Sequence, residues 1–201
     1  MKIKTALVGF ALLGFVLSAL SCGGKTANDD EVAVLETSYG RIVIEFLPKV
    51  APKHTANFKA LAQDGFFDGT KFHRIVLDKG GKPIAIQGGD PNTIAGDPAT
   101  WGQGQPGQNT VPAEFSSMKH ERGIVSMARK GNDINSGTSQ FFIMTAAQPG
   151  FDGQYSIFGR VIEGMNVVDT IARAPVVQRA ERPVDPVVLN RAYVVMRDEV
   201  K

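Results

Sequence analysis

The chain has 201 residues, 43% apolar and 21% charged, which suits one folded domain plus a smaller appendage. Twenty-two basic and 20 acidic side chains leave a net charge of only +2, spread without a basic block, so charge-driven binding to nucleic acid or to an anionic membrane surface is excluded. A single cysteine, Cys22, excludes a disulfide within the chain.

Lys2 and Lys4 precede an apolar run from Ala6 to Leu20, and Ser21-Cys22 follows. This reads as a secretory signal over 1–21. The run is about fifteen residues, short of the ~20 that a membrane-spanning helix needs. An odd cysteine in an exported protein calls for a role, and the segment resembles a bacterial lipoprotein signal, in which the cysteine becomes the first mature residue and carries acyl chains. Ala19 and Ser21 also satisfy an ordinary signal-peptidase site that cuts the same bond. Lipid anchoring at Cys22 therefore leads over soluble export and an uncleaved anchor, and it places the protein in the cell envelope, on the periplasmic or outer face of a membrane. Residues 22–31 read as a tether reaching very roughly 15 to 20 Å.

The folded domain is expected over 32–197, with 198–201 as a tail. Val32 to Thr37 and Arg41 to Leu47 flank Ser38-Tyr39-Gly40 as a hairpin, with Ile42, Ile44 and Phe46 alternating on one face. Pro52 to Gln63 changes to helical period, Pro52 suiting the first turn and Gly65 ending it. Strands are predicted at Thr70 to Leu77, Ile84 to Gln87, Ile124 to Ala128, Gln140 to Thr145, Ile157 to Ile162 and Val187 to Met196, and a second helix at Met165 to Arg173. This mainly β pattern predicts a closed β-barrel capped by helices, since closure removes exposed edges.

Three segments carry the chemistry: Phe72-His73-Arg74-Ile75-Val76, Gln87-Gly88-Gly89-Asp90 and Ser139-Gln140-Phe141-Phe142-Ile143. With Pro112-Ala113-Glu114-Phe115, Ser126-Met127-Ala128-Arg129 and Phe158-Gly159-Arg160-Val161 in the same order, the chain from Val32 to Val195 resembles a cyclophilin. The resemblance implies an eight-stranded antiparallel barrel with two capping helices, a shallow proline groove on its outer face, proline-containing polypeptide clients and peptidyl-prolyl cis-trans isomerase activity. No cofactor is implied. Rotation about a peptide bond is opposed by amide resonance, a barrier of ~18 to 20 kcal/mol, and the twisted state returns a lone pair to the prolyl nitrogen. A fixed cationic donor near that nitrogen gains its bond only once resonance is lost.

By resemblance Arg74 is that donor. Phe142 is the floor of the proline pocket, Phe151 and Ile84 its walls, and Gln87 bonds the substrate backbone. Gln140, with Ala128 and the main chain at Arg129, lines an adjoining subsite, and Tyr155 stands where the family often carries histidine. Strand alternation agrees for one pair, because Gln140 and Phe142 are two apart and face one side while Phe141 and Ile143 face the core.

Three departures from the family pattern bear on the groove. Ile84-Ala85 replaces the usual Phe-Met, Leu77 to Pro83 exceeds the usual Pro-Gly turn, and Pro149-Gly150 replaces the Trp or Phe that commonly precedes the Asp-Gly turn. A shallower or wider pocket, and weak binding of cyclosporin, the family's inhibitor, are expected. Ala85 and Gly150 also leave a second reading, a proline-binding module or holdase with little catalysis.

Other motifs carry less. Gly102-Gln103-Gly104-Gln105-Pro106-Gly107 fits GxGxxG, but no strand leads into it and no helix follows, so it is loop, with Trp101 expected to pin it. His73 packs structurally, while His54 and His120 sit among polar residues; three histidines without ligand spacing argue against a metal. No Gly-x-Ser-x-Gly elbow points to a serine hydrolase. Nothing resembles an assembly helix, so a monomer is expected.

Overall fold

A computed structural model describes residues 30–177 and 181–200. Cys22 and the expected signal and tether lie outside these residues, apart from Asp30 and Glu31 at the tether's end.

The elements are β1 (Glu31–Thr37), β2 (Gly40–Phe46), α1 (Pro52–Gln63), β3 (Arg74–Leu77), β4 (Pro83–Gly88), a one-turn α2 (Asn92–Ala95), β5 (Ile124–Met127), β6 (Phe141–Met144), β7 (Ile157–Glu163), α3 (Met165–Ala172), β8 (Val176–Val177), β9 (Arg182–Pro183) and β10 (Leu189–Met196). The expected hairpin forms β1 and β2, paired from Val32↔Glu45 to Thr37↔Gly40. The first helix has the bounds read from the sequence, with Pro52 in its first turn. No side chain of its own caps it. Glu114, sixty residues away, instead accepts the backbone N–H groups of Lys53 at 3.1 Å and His54 at 3.0 Å, and its Oε2 lies 2.9 Å from His54 Nδ1. These are the amides a helix start leaves unpaired, and a carboxylate suits the positive end of the helix dipole. Burial opposes ionisation of Glu114, yet the bonds from the His54 ring and the two amides outweigh it and hold the carboxyl below its ordinary range.

The eight longer strands make one antiparallel sheet in the order β10-β1-β2-β7-β5-β6-β4-β3. This corrects the closed barrel expected from the sequence: β3 and β10 are edges of a curled half-barrel and do not pair with each other. The predicted strand from Thr70 begins in fact at Arg74, leaving β3 too short to meet β10. The gap is spanned by the preceding segment, through Gly69 N–H to Leu189 O at 2.8 Å, Leu189 N–H to Thr70 O at 2.8 Å and Phe72 N–H to Val187 O at 2.9 Å. The small β8–β9 pair and α2 were not anticipated.

Side-chain alternation divides the sheet into two apolar layers. Inside, Phe58 of α1 meets the rings of Phe46, Phe67, Phe141 and Phe158 with centroids 4.8 to 6.0 Å apart. Outside, Phe142 and Met144 join Ala85, Ile124 and Ile157 in a second cluster. Adjacent residues of β6 thus serve the core and the outer face, as the two-residue period requires.

Candidate active site

The outer face carries a cavity of about 780 Å³ between β3, β4, the end of β5, β6 and the turn at 148–155. Arg74, Gln87, Ile84, Ala128, Arg129, Phe142, Phe151 and Tyr155 all line it, joined by Leu77 to Gly80 of the long β3–β4 loop. Gln140 lines a neighbouring cavity of about 300 Å³, which Gln87, Ala128 and Arg129 share and the glycine-rich loop borders. Ala85 is the exception among the sequence candidates. It is fully buried in the cluster with Phe142 and Met144 and does not line the cavity, so it supports the floor from the side. Ile84 reaches the opening because the β3–β4 register shifts beside it, between Val76 and Leu77.

Phe142 lies in the floor with its ring enclosed by other rings. Tyr155 meets it edge-on at 5.1 Å between centroids and Phe151 at 5.7 Å. Behind it, His120 stacks at 6.2 Å. An aromatic face flanked by edges suits a flat, apolar pyrrolidine ring.

Arg74 projects at the cavity's edge. Its Nε donates to Glu181 Oε2 at 2.7 Å, its Nη2 lies 2.6 Å from the same oxygen, and its Nη1 donates to Gln87 Oε1 at 3.4 Å. Arg74 and Gln87 face each other across β3 and β4 as register partners. Gln87 then donates to Gln140 Oε1 at 2.9 Å, and Gln140 donates to Gly102 O at 3.1 Å. The glutamine amides are thus oriented by one continuous chain of bonds. On the opposite rim, Arg129 lies over the Tyr155 ring at 5.0 Å and donates to the carbonyls of Gln154, Lys130 and Gly131.

Close approach of the strands here depends on glycine. Gly89 has φ +81, and a Cβ there would fall 2.6 Å from Ser139 O. Trp101, just before the glycine-rich loop, is tied back to the preceding segment, its Nε1 donating to Gly96 O at 3.1 Å.

His73 is buried, and burial lowers its pKa, yet it lines one small cavity together with Arg74, Gln87 and Trp101, so the two neighbours are not confined to opposite faces. His54 and His120, which sit among polar residues in the sequence, are both buried in the fold. His120 Nδ1 lies 3.3 Å from Asp152 Oδ1, and its Nε2 lies 3.1 Å from Ser126 Oγ. Ser, His and Asp in this order match a nucleophilic triad on paper. Ser126 is fully buried, however, so no substrate reaches its hydroxyl, and the three groups instead brace the floor. Sequence reasoning missed Glu181 and the bracing role of His120, because Glu181 meets Arg74 across 107 positions and His120 meets Asp152 across 32, with no local pattern to mark either.

With this geometry in hand, comparison settles the family. Residues 32–194 match the family described as cyclophilin type peptidyl-prolyl cis-trans isomerase/CLD. The chain is a cyclophilin. It is 39% identical over 165 residues to the human peptidyl-prolyl cis-trans isomerase-like 1, covering 79% of this chain and 89% of that protein. It is 37% identical over 164 residues to a peptidyl-prolyl cis-trans isomerase of Schizosaccharomyces pombe, covering 79% and 95%. Among solved structures, a Cryptosporidium parvum cyclophilin-type isomerase in the presence of the dipeptide Ala-Pro is similar with TM-score 0.70 and 29% identity, covering 82% of this cyclophilin and 98% of that chain.

Proposed function

We propose that this peptidyl-prolyl cis-trans isomerase turns Xaa-Pro bonds in the cavity between Arg74 and Phe142. The proline ring rests on Phe142 between Phe151 and Tyr155. Gln87 and Gln140, oriented by their mutual bond, hold the substrate main chain. As the bond twists, the prolyl nitrogen pyramidalises and accepts a hydrogen bond from the Arg74 guanidinium, an interaction absent from the planar ground state. A charge-assisted bond is worth about 1.5 to 3 kcal/mol, and desolvation against the aromatic box and anchoring of one side of the bond contribute the remainder.

The observation that carries this reading is the shared cavity: a guanidinium fixed by named bonds opens onto the same space as the face of Phe142. Clients are polypeptides containing proline, in keeping with the Ala-Pro dipeptide named for the Cryptosporidium structure. Lys2, Lys4, the apolar run to Leu20 and the lone Cys22 support export and lipid anchoring, so the clients proposed are other envelope proteins whose slow Xaa-Pro steps limit folding.

The test is the cis-to-trans rate of an Ala-Pro peptide with the protein and with Arg74→Ala. Acceleration by the protein, reduced roughly ten- to a hundredfold by the substitution, is the expected result. No acceleration while the peptide still binds would overturn it in favour of a proline-binding holdase.

A further inference from the structure

Glu181 grips β3 at three points. Its backbone carbonyl accepts Ile75 N–H at 2.7 Å, its Oε1 accepts Leu77 N–H at 2.9 Å, and its Oε2 receives Arg74 Nε at 2.7 Å and Nη2 at 2.6 Å. Ile75 and Leu77 are two apart, so their N–H groups point out of the same free edge of the sheet. One residue therefore closes that edge and holds Arg74, the residue just before Ile75. The geometry has a conformational cost: with φ +51, Glu181 is the one non-glycine among the described residues in the left-handed region. Such conformations persist where surrounding bonds over-determine them, and they gather at functional sites.

We infer that Glu181 is the positioning residue for Arg74, an inference that rests on the proposed role of Arg74 as the donor to the prolyl nitrogen. Arginine ends a long, rotamer-rich side chain, and Arg74 is nearly half exposed, so packing alone does not fix it. The carboxylate takes the Nε edge of the guanidinium. Nη1 makes only a long 3.4 Å bond to Gln87, so it keeps donor capacity for the groove. Catalysis by a pre-placed donor needs this division, one edge of the guanidinium anchored and the other available, because a donor already in position loses little freedom when the transition state forms. The carboxylate also draws away part of the positive charge, and the inference states that placement outweighs this loss.

Glu181→Gly removes the carboxylate while keeping a residue at ease with positive φ, so the carbonyl bond to Ile75 survives. The full chain is assayed as wild type, Glu181→Gly, Arg74→Ala and the double variant, with thermal unfolding as the folding control. The expected result is a fall of about tenfold in kcat/KM for Glu181→Gly, with less than a twofold change in proline-peptide affinity and no additional loss in the Arg74→Ala background. An equal loss in that background, or no loss in the single variant, would overturn the inference. Should the glycine variant fold poorly, Glu181→Asn, which also tolerates positive φ but ends one methylene short of Arg74, takes its place in the same cycle.

A second readout is independent of catalysis. In nitrogen-15 spectra the Arg74 Nε–H signal is expected to exchange slowly with water in the wild type and to broaden or vanish in Glu181→Gly. An unchanged signal would refute positioning. If the wild type fails to accelerate isomerisation, the functional reading of Arg74 falls, and this spectrum still decides whether Glu181 holds it.

Discussion

His120 lies against the back of Phe142, ring centroids 6.2 Å apart and planes only 23° from parallel. The face of Phe142 that a proline would meet is therefore backed by an imidazole. That imidazole is itself fixed by Asp152 and Ser126. Burial holds His120 below the ordinary histidine pKa, against the opposing pull of Asp152, so the folded protein keeps it neutral where the unfolded chain takes a proton.

Stability should therefore fall on acidification. The folded pKa is depressed, so below the unfolded value of about 6.5 the unfolded state binds more protons, and stability present above that pH is lost as pH falls towards the folded pKa. His73, buried and shifted the same way, adds to the effect. Thermal unfolding at pH 7.5 and 5.5 should show a drop for the wild type that is smaller in His120→Gln. A variant with an undiminished drop would mean that other groups titrate.

The floor itself can be probed with Phe142→Leu, which keeps an apolar side chain of similar bulk but removes the aromatic face. Phe142 is only 4% exposed, so deeper truncation to alanine would cost about 3 to 5 kcal/mol of stability and confuse the result. The leucine variant should stay folded, bind an Ala-Pro peptide several-fold more weakly, and isomerise more slowly. Unchanged peptide affinity would place the proline elsewhere.

Glu114 predicts a stability effect separable from catalysis. Glu114→Ala strips the acceptor from the amides of Lys53 and His54 and from the His54 ring, at a cost of about 1 to 3 kcal/mol in urea unfolding at neutral pH. Because the Glu114 pKa is lowered, the wild-type advantage should be present above the ordinary carboxylate range and disappear as pH falls below it. The folded variant's kcat/KM should match the wild type, since Glu114 lines neither cavity. A large loss of activity in the folded variant would show that helix α1 communicates with the groove.

Legibility in the sequence followed the range of each interaction. Helix α1 was readable because Pro52 and Gly65 bracket a periodic run, and the two faces of β6 because Gln140, Phe141 and Phe142 obey strand alternation. Most groove residues followed from the resemblance. Closure was misread because it depends on which residues of the 69–77 segment pair with β10, a choice made by tertiary contacts. Two-residue strands such as β8 and β9 have no measurable period. The bracing role of His120 depends on Asp152, 32 positions away, and Glu181 meets Arg74 across 107 positions, so neither had a local signature.

Gly150 provides a test of how the groove departs from its family. It lies in the turn Pro149–Phe151 beside the cavity, where other cyclophilins commonly carry an aromatic side chain. Cyclosporin should inhibit the wild type weakly, because a large apolar ligand finds no ring at that edge and leaves part of its surface in water. A side chain can start at Gly150 without a clash: a Cβ there would meet only Gln148 Oε1, at 3.6 Å, and the residue is exposed. Gly150→Trp should therefore fold normally. Covering ~100 Å² of apolar surface at about 25 cal/mol per Å² gives roughly 2.5 kcal/mol, or on the order of fifty-fold tighter inhibition. Titration of isomerase activity with the drug reads this directly. Tight inhibition of the wild type would show that Phe151 and Tyr155 already supply the missing surface, and an unimproved tryptophan variant would move the cause to the long β3–β4 loop, where Lys79 and Gly80 line the opposite wall.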